Sequence, residues 1–442
     1  MVTVITELSK YLMIILFACY TYESFSALKH SGSRERMQPI LNRQLIFLFL
    51  IHLDAYLVIF AATEELKMLG FYVMQVLLIC GIQLIYRFLY KKAARIVTNH
   101  LCMLLVIGFI ILTRLDEAKA IRQFTIAVAA TVITLLVPLF IRYLHFLHRL
   151  SYLYAGLGIA LLALVAVAGN TDYGAKLSFT FGSVSLQPSE FIKILFVFFA
   201  ASMLYHSTEF RQVVLTTVLA AIHVLILVAS KDLGSASIYF VTYLVMLYVA
   251  TRDGRYMCLG MGAGAVAALV SYKLFSHVRT RVIAWKDPLS VIDGAGYQVA
   301  QSLFAIGTGG WFGMGLFLGS PNKIPVADED FVFAAISEEL GGIFAICLIL
   351  VCACCYLMFL NIALQIREQF YKLLALGLGT TYGFQVFLTI GGVIKFIPST
   401  GVTLPLVSYG GSSLLSTFII FAVIQGLYII REDEVIDEEK KR

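Results

Sequence analysis

The stretch FYVMQVLLICGIQLIYRFLYKKAAR, residues 71–95, decides the fold. Its first part, 71–86, carries no charge, and it is followed at once by Arg87, Lys91, Lys92 and Arg95. An uncharged apolar run of this kind approaches the roughly 20 residues that cross a bilayer. A basic cluster against its end marks a cytoplasmic loop. The runs YLMIILFACY (11–20) and IAVAATVITLLVPLFI (126–141) repeat the pattern, and 60% of the 442 residues are hydrophobic against 14% charged. The chain reads as all-α, a polytopic transmembrane helical bundle.

Apolar segments fall at 7–28, 44–62, 68–88, 100–114, 124–141, 151–169, 190–206, 213–229, 236–250, 256–275, 332–360, 372–394 and 412–430. That predicts about 13 helices, of which 100–114 is a short one and the least distinct. The first segment lacks a basic leader and a cleavage site, so it is expected to stay as structure. Lys29, Arg34, Arg36 and Arg43 fill the first loop, Arg87 to Arg95 the third, and Arg142 and Arg149 the fifth, while intervening loops such as 63–67 are weakly charged. Odd-numbered loops are therefore expected in the cytoplasm, with the N-terminus outside and the C-terminus inside. The tail REDEVIDEEKKR (431–442) is then a charged, solvated cytoplasmic end. On this orientation the long polar connection 276–331 and the segments 170–189, 230–235 and 395–411 all lie outside.

The net charge of +6 follows from the cytoplasmic loops, so nucleic acid is not an expected partner. Of eight cysteines, Cys347, Cys352, Cys354 and Cys355 crowd one apolar helix without His or carboxylate neighbours. They read as packing residues, and no metal site is expected.

Polar motifs gather on the outer side. The glycines of FAIGTGGWFGMGLFLGS (304–320) lack the Gly-Lys-Ser/Thr of a nucleotide loop. They fit close backbone approach and unusual dihedrals. In LQPSEFIKI (186–194), Glu190 and Lys193 stand three apart in the first turn of a spanning helix. They form either a structural i,i+3 pair or, as ionisable groups inside a membrane, part of a functional site. Asp232 in KDLGSA (231–236) reads as a helix cap or a site residue. In VSYGGSS (407–413), Ser408 and Ser412 flank a Gly-Gly helix start that offers N–H donors to an anion. Asp328, Glu329, Asp330, Glu338 and Glu339 surround another helix start. Finally WKDPLSVIDGAGYQ (285–298) supplies Asp287 and Asp293. Together these describe an outward-facing polar cavity suited to a substrate with a lipid tail, an anionic linker and a hydroxylated headgroup, and they describe a transporter mouth equally well.

GYQVAQSLFAIGTGGWFGMGL, FVFAAISEELG, QPSEFIK, DLGSA and PSTGVTLPLVSYGGSS together resemble the SEDS family (shape, elongation, division and sporulation), which includes RodA and FtsW. The resemblance spans about 186–413 and implies a ten-helix core over 100–430, preceded by a three-helix extension, 1–99. It implies a peptidoglycan glycosyltransferase that polymerises lipid II on the outer face of the bacterial cell membrane, in cell division or in cell-shape and elongation. The implied partners are a class B penicillin-binding protein and other divisome or elongasome membrane proteins. Glu190, Lys193 and Asp232 match the family's motif residues. The family's proposed catalytic Asp lies three residues after a conserved Pro, where this chain has Val291 after Pro288. The nearest carboxylates are Asp293, the preferred general base, and Asp287. Other departures are Thr389 for a common Asn, SKDLG for Gln-Pro-Asp-Leu-Gly, and Ser178–Phe179 for a basic-aromatic pair.

The expected chemistry is inverting glycosyl transfer. One carboxylate takes the proton of the attacking hydroxyl, and Lys193, Arg279, Arg281 and the last helix's N-terminus steady the departing pyrophosphate. No organic cofactor is implied; a divalent cation on the pyrophosphate is left open. The alternatives are a lipid II flippase, which needs a path and no base, and a secondary transporter. Against the transporter, the two halves show no repeat and no paired broken helices.

Overall fold

The computed structural model describes residues 2–30, 34–172, 175–181 and 184–441. In chain order the helices are α1 (Val2–Lys29), α2 (Arg34–Thr63), α3 (Leu66–Leu89), α4 (Arg95–Leu115), α5 (Glu117–Thr134), α6 (Val137–Tyr143) and α7 (Ser151–Ala168). Three short strands follow, β1 (Asn170–Asp172), β2 (Ala175–Phe181) and β3 (Val184–Leu186). Then come α8 (Pro188–His206), α9 (Phe210–Ala229), α10 (Leu233–Thr251), α11 (Gly254–Leu274), α12 (Ser276–Lys286), α13 (Tyr297–Gly309), α14 (Val332–Gln365), α15 (Gln369–Val393) and α16 (Gly411–Lys441). Among the described residues thirteen helical spans are long and apolar enough to cross a membrane, α5 and α6 acting as one across a break before Pro138. The all-α polytopic architecture is as the hydropathy predicts.

Three features differ from the sequence reading. α4 is a full 21 residues rather than a short segment, and every residue from Ile96 to Thr113 is buried. Hydropathy undersells it because Asn99 and His100 are polar, yet both find partners inside: Asn99 Nδ2 donates to Gln44 Oε1 at 2.9 Å, and His100 Nδ1 meets the Tyr20 hydroxyl at 3.0 Å, while His100 Nε2 is buried with no partner among the described residues. The connection before α8 is a three-stranded antiparallel sheet in the order β1-β2-β3, pairing Asn170 with Ser178 and Phe179 with Leu186. The acidic tail continues α16 instead of leaving it: Asp433 Oδ2 lies 2.8 Å from Arg142 Nε, so a basic partner draws it back to α6.

The chain forms two compact units. Unit one comprises Met1–Val132, Arg281–Met358 and Val386–Gly410; unit two comprises Ile133–Thr280, Phe359–Gln385 and Gly411–Arg442. Residues 1–99 are thus part of unit one and do not fold as a separate body. In unit one, α14 breaks at Gly341, whose φ of 90° is open to glycine at little cost. The glycine-rich run seats itself in that break: Met314 N donates to Glu338 O, Gly315 N to Glu339 O, and Gly342 N back to Gly310 O, at 2.8–2.9 Å. A Cβ on Gly313 would stand 2.6 Å from the Leu340 carbonyl carbon. The run is glycine because two backbones touch. In unit two, α8 is the central helix, with α7, α9, α10 and α16 around it. α11, by contrast, has no buried residue.

Candidate active-site residues

Pro188 opens α8 at a position where its missing N–H costs nothing, and Glu190 and Lys193 follow in the first turn. Both side chains are buried, Lys193 to 3% exposure and Glu190 to 7%. Lys193 Nζ donates to Glu190 Oε2 at 2.5 Å and to Gln385 Oε1 of α15 at 2.8 Å. Ser416 Oγ of α16 donates to the same Glu190 oxygen at 2.9 Å, and Gln385 Nε2 reaches Ser413 Oγ at 3.3 Å. An ammonium has three donors. Two of Lys193's are committed here, and no third partner is present among the described residues.

Asp232 serves two purposes. One oxygen caps α10 by accepting from Ser235 N at 3.0 Å; the other accepts from Ser189 Oγ, next to Glu190, at 3.3 Å. Burial, its largest influence, raises the carboxyl above the usual aspartate range, and the Glu190 charge adds to that. Ser412 Oγ accepts from Gln187 N at 2.9 Å and so ties the start of α16 to the residue before α8. Unit two therefore holds two neighbouring polar groups, Glu190 and Lys193 with Gln385 and Ser416, and Asp232 and Ser412 linked through Ser189 and Gln187. Arg279, also in unit two, is exposed and bonds no described side chain.

Unit one holds the remaining candidates. Asp287 is exposed and its Oδ1 accepts from Ser290 N at 3.3 Å, a turn-closing role. Asp293 is exposed and makes no hydrogen bond among the described residues. Its loop is pinned: Val291 O accepts from Gly294 N and Gly296 N at 3.1 and 3.0 Å, and Gly296 packs on Pro288. Arg281 Nη1 lies 3.4 Å from Ser399 O, while Trp285 Nε1 donates to Lys395 O at 3.2 Å, so α12 is sewn to the segment 395–401. Ser408 is committed to its own turn: its Oγ accepts from Leu404 N at 2.9 Å and its carbonyl accepts from Gln123.

Sequence reasoning passed over three groups. Gln385 and Ser416 complete the Glu190–Lys193 cluster, yet an amide and a hydroxyl in apolar helices look like many others. Asp330 is one of five acids around a helix start, and nothing in the sequence sets it apart from the others. Burial, above all, pushes its carboxyl up to about 7, with Glu329 and Asp328 adding to the rise and Arg281 opposing it. Its neighbour Asp328 is instead paired with Lys119. Among the described residues no group of three or more His, Cys, Asp or Glu is arranged to hold a metal ion.

A bundle of thirteen candidate spans with buried charges hydrogen-bonded across three helices is a multi-pass membrane protein with a polar interior site. The chain belongs to the FtsW/RodA/SpoVE family, whose model, described as "Cell cycle protein", matches residues 94–432. The peptidoglycan glycosyltransferase RodA of Mycobacterium tuberculosis (strain ATCC 25618 / H37Rv) is 38% identical over 297 residues, 63% of this chain and 63% of that protein. The match thus spans less than two thirds of the mycobacterial protein's length. Stage V sporulation protein E of Bacillus subtilis (strain 168) is 34% identical, with 60% of this chain and 74% of that protein covered. A chain from a solved peptidoglycan synthase complex, described as coordinating polymerization and crosslinking, superimposes with a TM-score of 0.66 at 26% identity, covering 77% of this chain and 98% of its own. The rod shape determining protein RodA of Thermus thermophilus gives 0.57 at 24% identity, over 78% and 98%, a likeness of fold.

Proposed function

We propose that this protein is a peptidoglycan glycosyltransferase that polymerises lipid II into glycan strands on the outer face of a bacterial cell membrane. The N-terminus lies outside and the C-terminus in the cytoplasm. The observation that carries the reading is the buried Lys193, whose ammonium donates to Glu190 and Gln385 within a cluster that Ser416 completes. A membrane span holds such a charge at a cost that packing alone does not recover. Named relatives supply the reaction: two of them are a peptidoglycan glycosyltransferase and a sporulation protein.

The roles rest on each unit's own geometry. In unit one Asp293, exposed and without a partner among the described residues, accepts the proton as the acceptor sugar's hydroxyl oxygen attacks the anomeric carbon. The bond from that carbon to the pyrophosphate oxygen breaks, and undecaprenyl pyrophosphate leaves. Asp287, busy closing its turn, is the second choice. Within unit one Arg281 is the candidate for steadying the leaving group's charge, and within unit two the candidates are Arg279 and Lys193. Asp232 and Ser412 hold the Lys193 cluster in place. The chemistry needs no organic cofactor, and a divalent cation would travel with the substrate's pyrophosphate. The partner that crosslinks the strands is a class B penicillin-binding protein, in keeping with the synthase complex to which a structural neighbour belongs.

The test is direct. Purified protein with its transpeptidase partner, supplied with fluorescent lipid II, yields a ladder of glycan strands. A flippase would carry the lipid across a liposome bilayer and make no strands.

A further inference from the structure

The three-helix extension has no part in the proposed chemistry, yet its first helix touches the segment that follows the Asp293 loop. Lys10 is 8% exposed on α1, and its Nζ donates to the carbonyl of Gly313 at 3.3 Å. Glu7, one turn earlier, balances its charge at 2.7 Å. The Tyr11 ring lies 5.6 Å from that of Phe312. Thr6 is buried against Gly315, where an added Cβ would fall 2.7 Å from its methyl. Further along, the Phe17 ring lies 4.4 Å from that of Phe344, tilted by 34°, and Ser24 O accepts from Cys354 Sγ at 3.5 Å. α1 therefore runs parallel to α14, with its first turns over the glycine-rich run and its later turns on the helix beyond the Gly341 break.

The run 310–315 is thus held on two sides. Its amides at 314 and 315 bond the Glu338 and Glu339 carbonyls, and its Gly313 carbonyl faces Lys10. Gly313 and Gly315 have φ of 75° and 98° and no side chains, so at these two positions the backbone is held by its hydrogen bonds alone. An ammonium on a carbonyl is a charge-assisted bond, stronger than a neutral one. A lysine buried at this depth, with its own counter-ion, is a costly way to fill space.

We propose that α1 is a positioning strap, with Lys10 the positioning residue that holds the glycine-rich segment in register with α14. Turnover then depends on a helix that lies outside the family match. The dependence on turnover rests on the glycosyltransferase reading; the register claim does not.

The test uses the full-length protein in lipid nanodiscs, as Lys10→Met and Lys10→Arg. Hydrogen–deuterium exchange of the peptide covering 310–318 reads the register without any substrate. Loss of one charge-assisted bond predicts exchange faster by about ten- to a hundredfold at Met314 and Gly315 in Lys10→Met. Exchange in α15 and α16 stays unchanged, and Lys10→Arg restores protection. With lipid II, Lys10→Met lowers kcat while KM changes little. If Lys10→Met does not accumulate, Tyr11→Ala removes the Phe312 contact and the ring 5.2 Å from Lys10 Nζ while leaving the ammonium, and gives the same reading at smaller amplitude. Unchanged exchange at 310–318 overturns the strap, whether or not strands are made. Faster exchange with unchanged kcat overturns its link to turnover. If the unaltered protein makes no strands, the function reading fails and the exchange result still decides the strap.

Discussion

Lys193 Nζ lies 2.5 Å from Glu190 Oε2, one turn along the same helix, and neither side chain is more than a tenth exposed. Removing one partner of such a pair strands the other in a medium that cannot solvate it. Glu190→Ala or Lys193→Met should therefore cost about 3–5 kcal/mol of stability, whereas the double replacement costs less than either. Glu190→Gln keeps the Ser416 hydrogen bond and should spare more of the fold while still lowering strand yield. Thermal melting in detergent alongside the polymerisation assay separates the two effects. Equal activity in Glu190→Gln would make the pair structural.

Asp293→Asn is nearly isosteric and far less basic, so polymerisation should drop by at least about a hundredfold, the lower end of general-base catalysis. Asp287→Asn should lose less, because Asp287 closes a turn on Ser290. Both variants probe one turn, in which Val291 O accepts from Gly294 N and Gly296 N. Normal activity in the double variant would remove this loop from the chemistry.

Much of this was legible in the sequence. Thirteen spans follow from hydropathy, and Glu190 and Lys193 stand out because ionisable groups in a membrane are conspicuous. What escaped notice was contributed by distant chain segments. Gln385 and Ser416 become partners of the pair only when α15 and α16 come against α8, and neutral groups leave no mark in an apolar pattern. The sheet at 170–186 was hidden because its strands are three to seven residues long. The loss of an Asp at Val291 was visible, but its consequence depends on a loop geometry that no motif encodes.

Asp330 makes stability depend on pH. Its carboxyl is raised to about 7 in the folded protein from 3.8 in the unfolded chain. Its contribution is whole below pH 4 and declines as pH rises through 7, because the unfolded chain ionises first. The melting temperature of the unaltered protein minus that of Asp330→Asn should thus fall between pH 4 and 7 and level off above. A flat difference would show that Asp330 is not buried as described.

Gly341 sits at φ 90° with the Phe312 carbonyl carbon where a Cβ would go, 2.5 Å away. Gly341→Ala should destabilise unit one by about 1–3 kcal/mol from backbone strain alone, with the steric clash in addition. Hydrogen exchange should show the loss at 310–315 before it appears elsewhere. Uniform loss would argue against this break as the site of the strain.

Orientation can be read by labelling. In a variant without native cysteines, Gln187→Cys before α8 should react with an impermeant thiol reagent from outside intact cells. Ser33→Cys, in the first loop and outside the described residues, should not. Labelling of position 33 from outside would reverse the topology and put the proposed chemistry on the wrong face.

The most direct test of the central claim is strand synthesis itself. Full-length protein, purified with a class B penicillin-binding protein and given fluorescent lipid II, should produce a ladder of glycan strands, and Asp293→Asn in the same complex should reduce it by about a hundredfold or more. No strands from the unaltered complex, with lipid II crossing the bilayer of protein-bearing liposomes, would contradict the account and leave a transporter in its place.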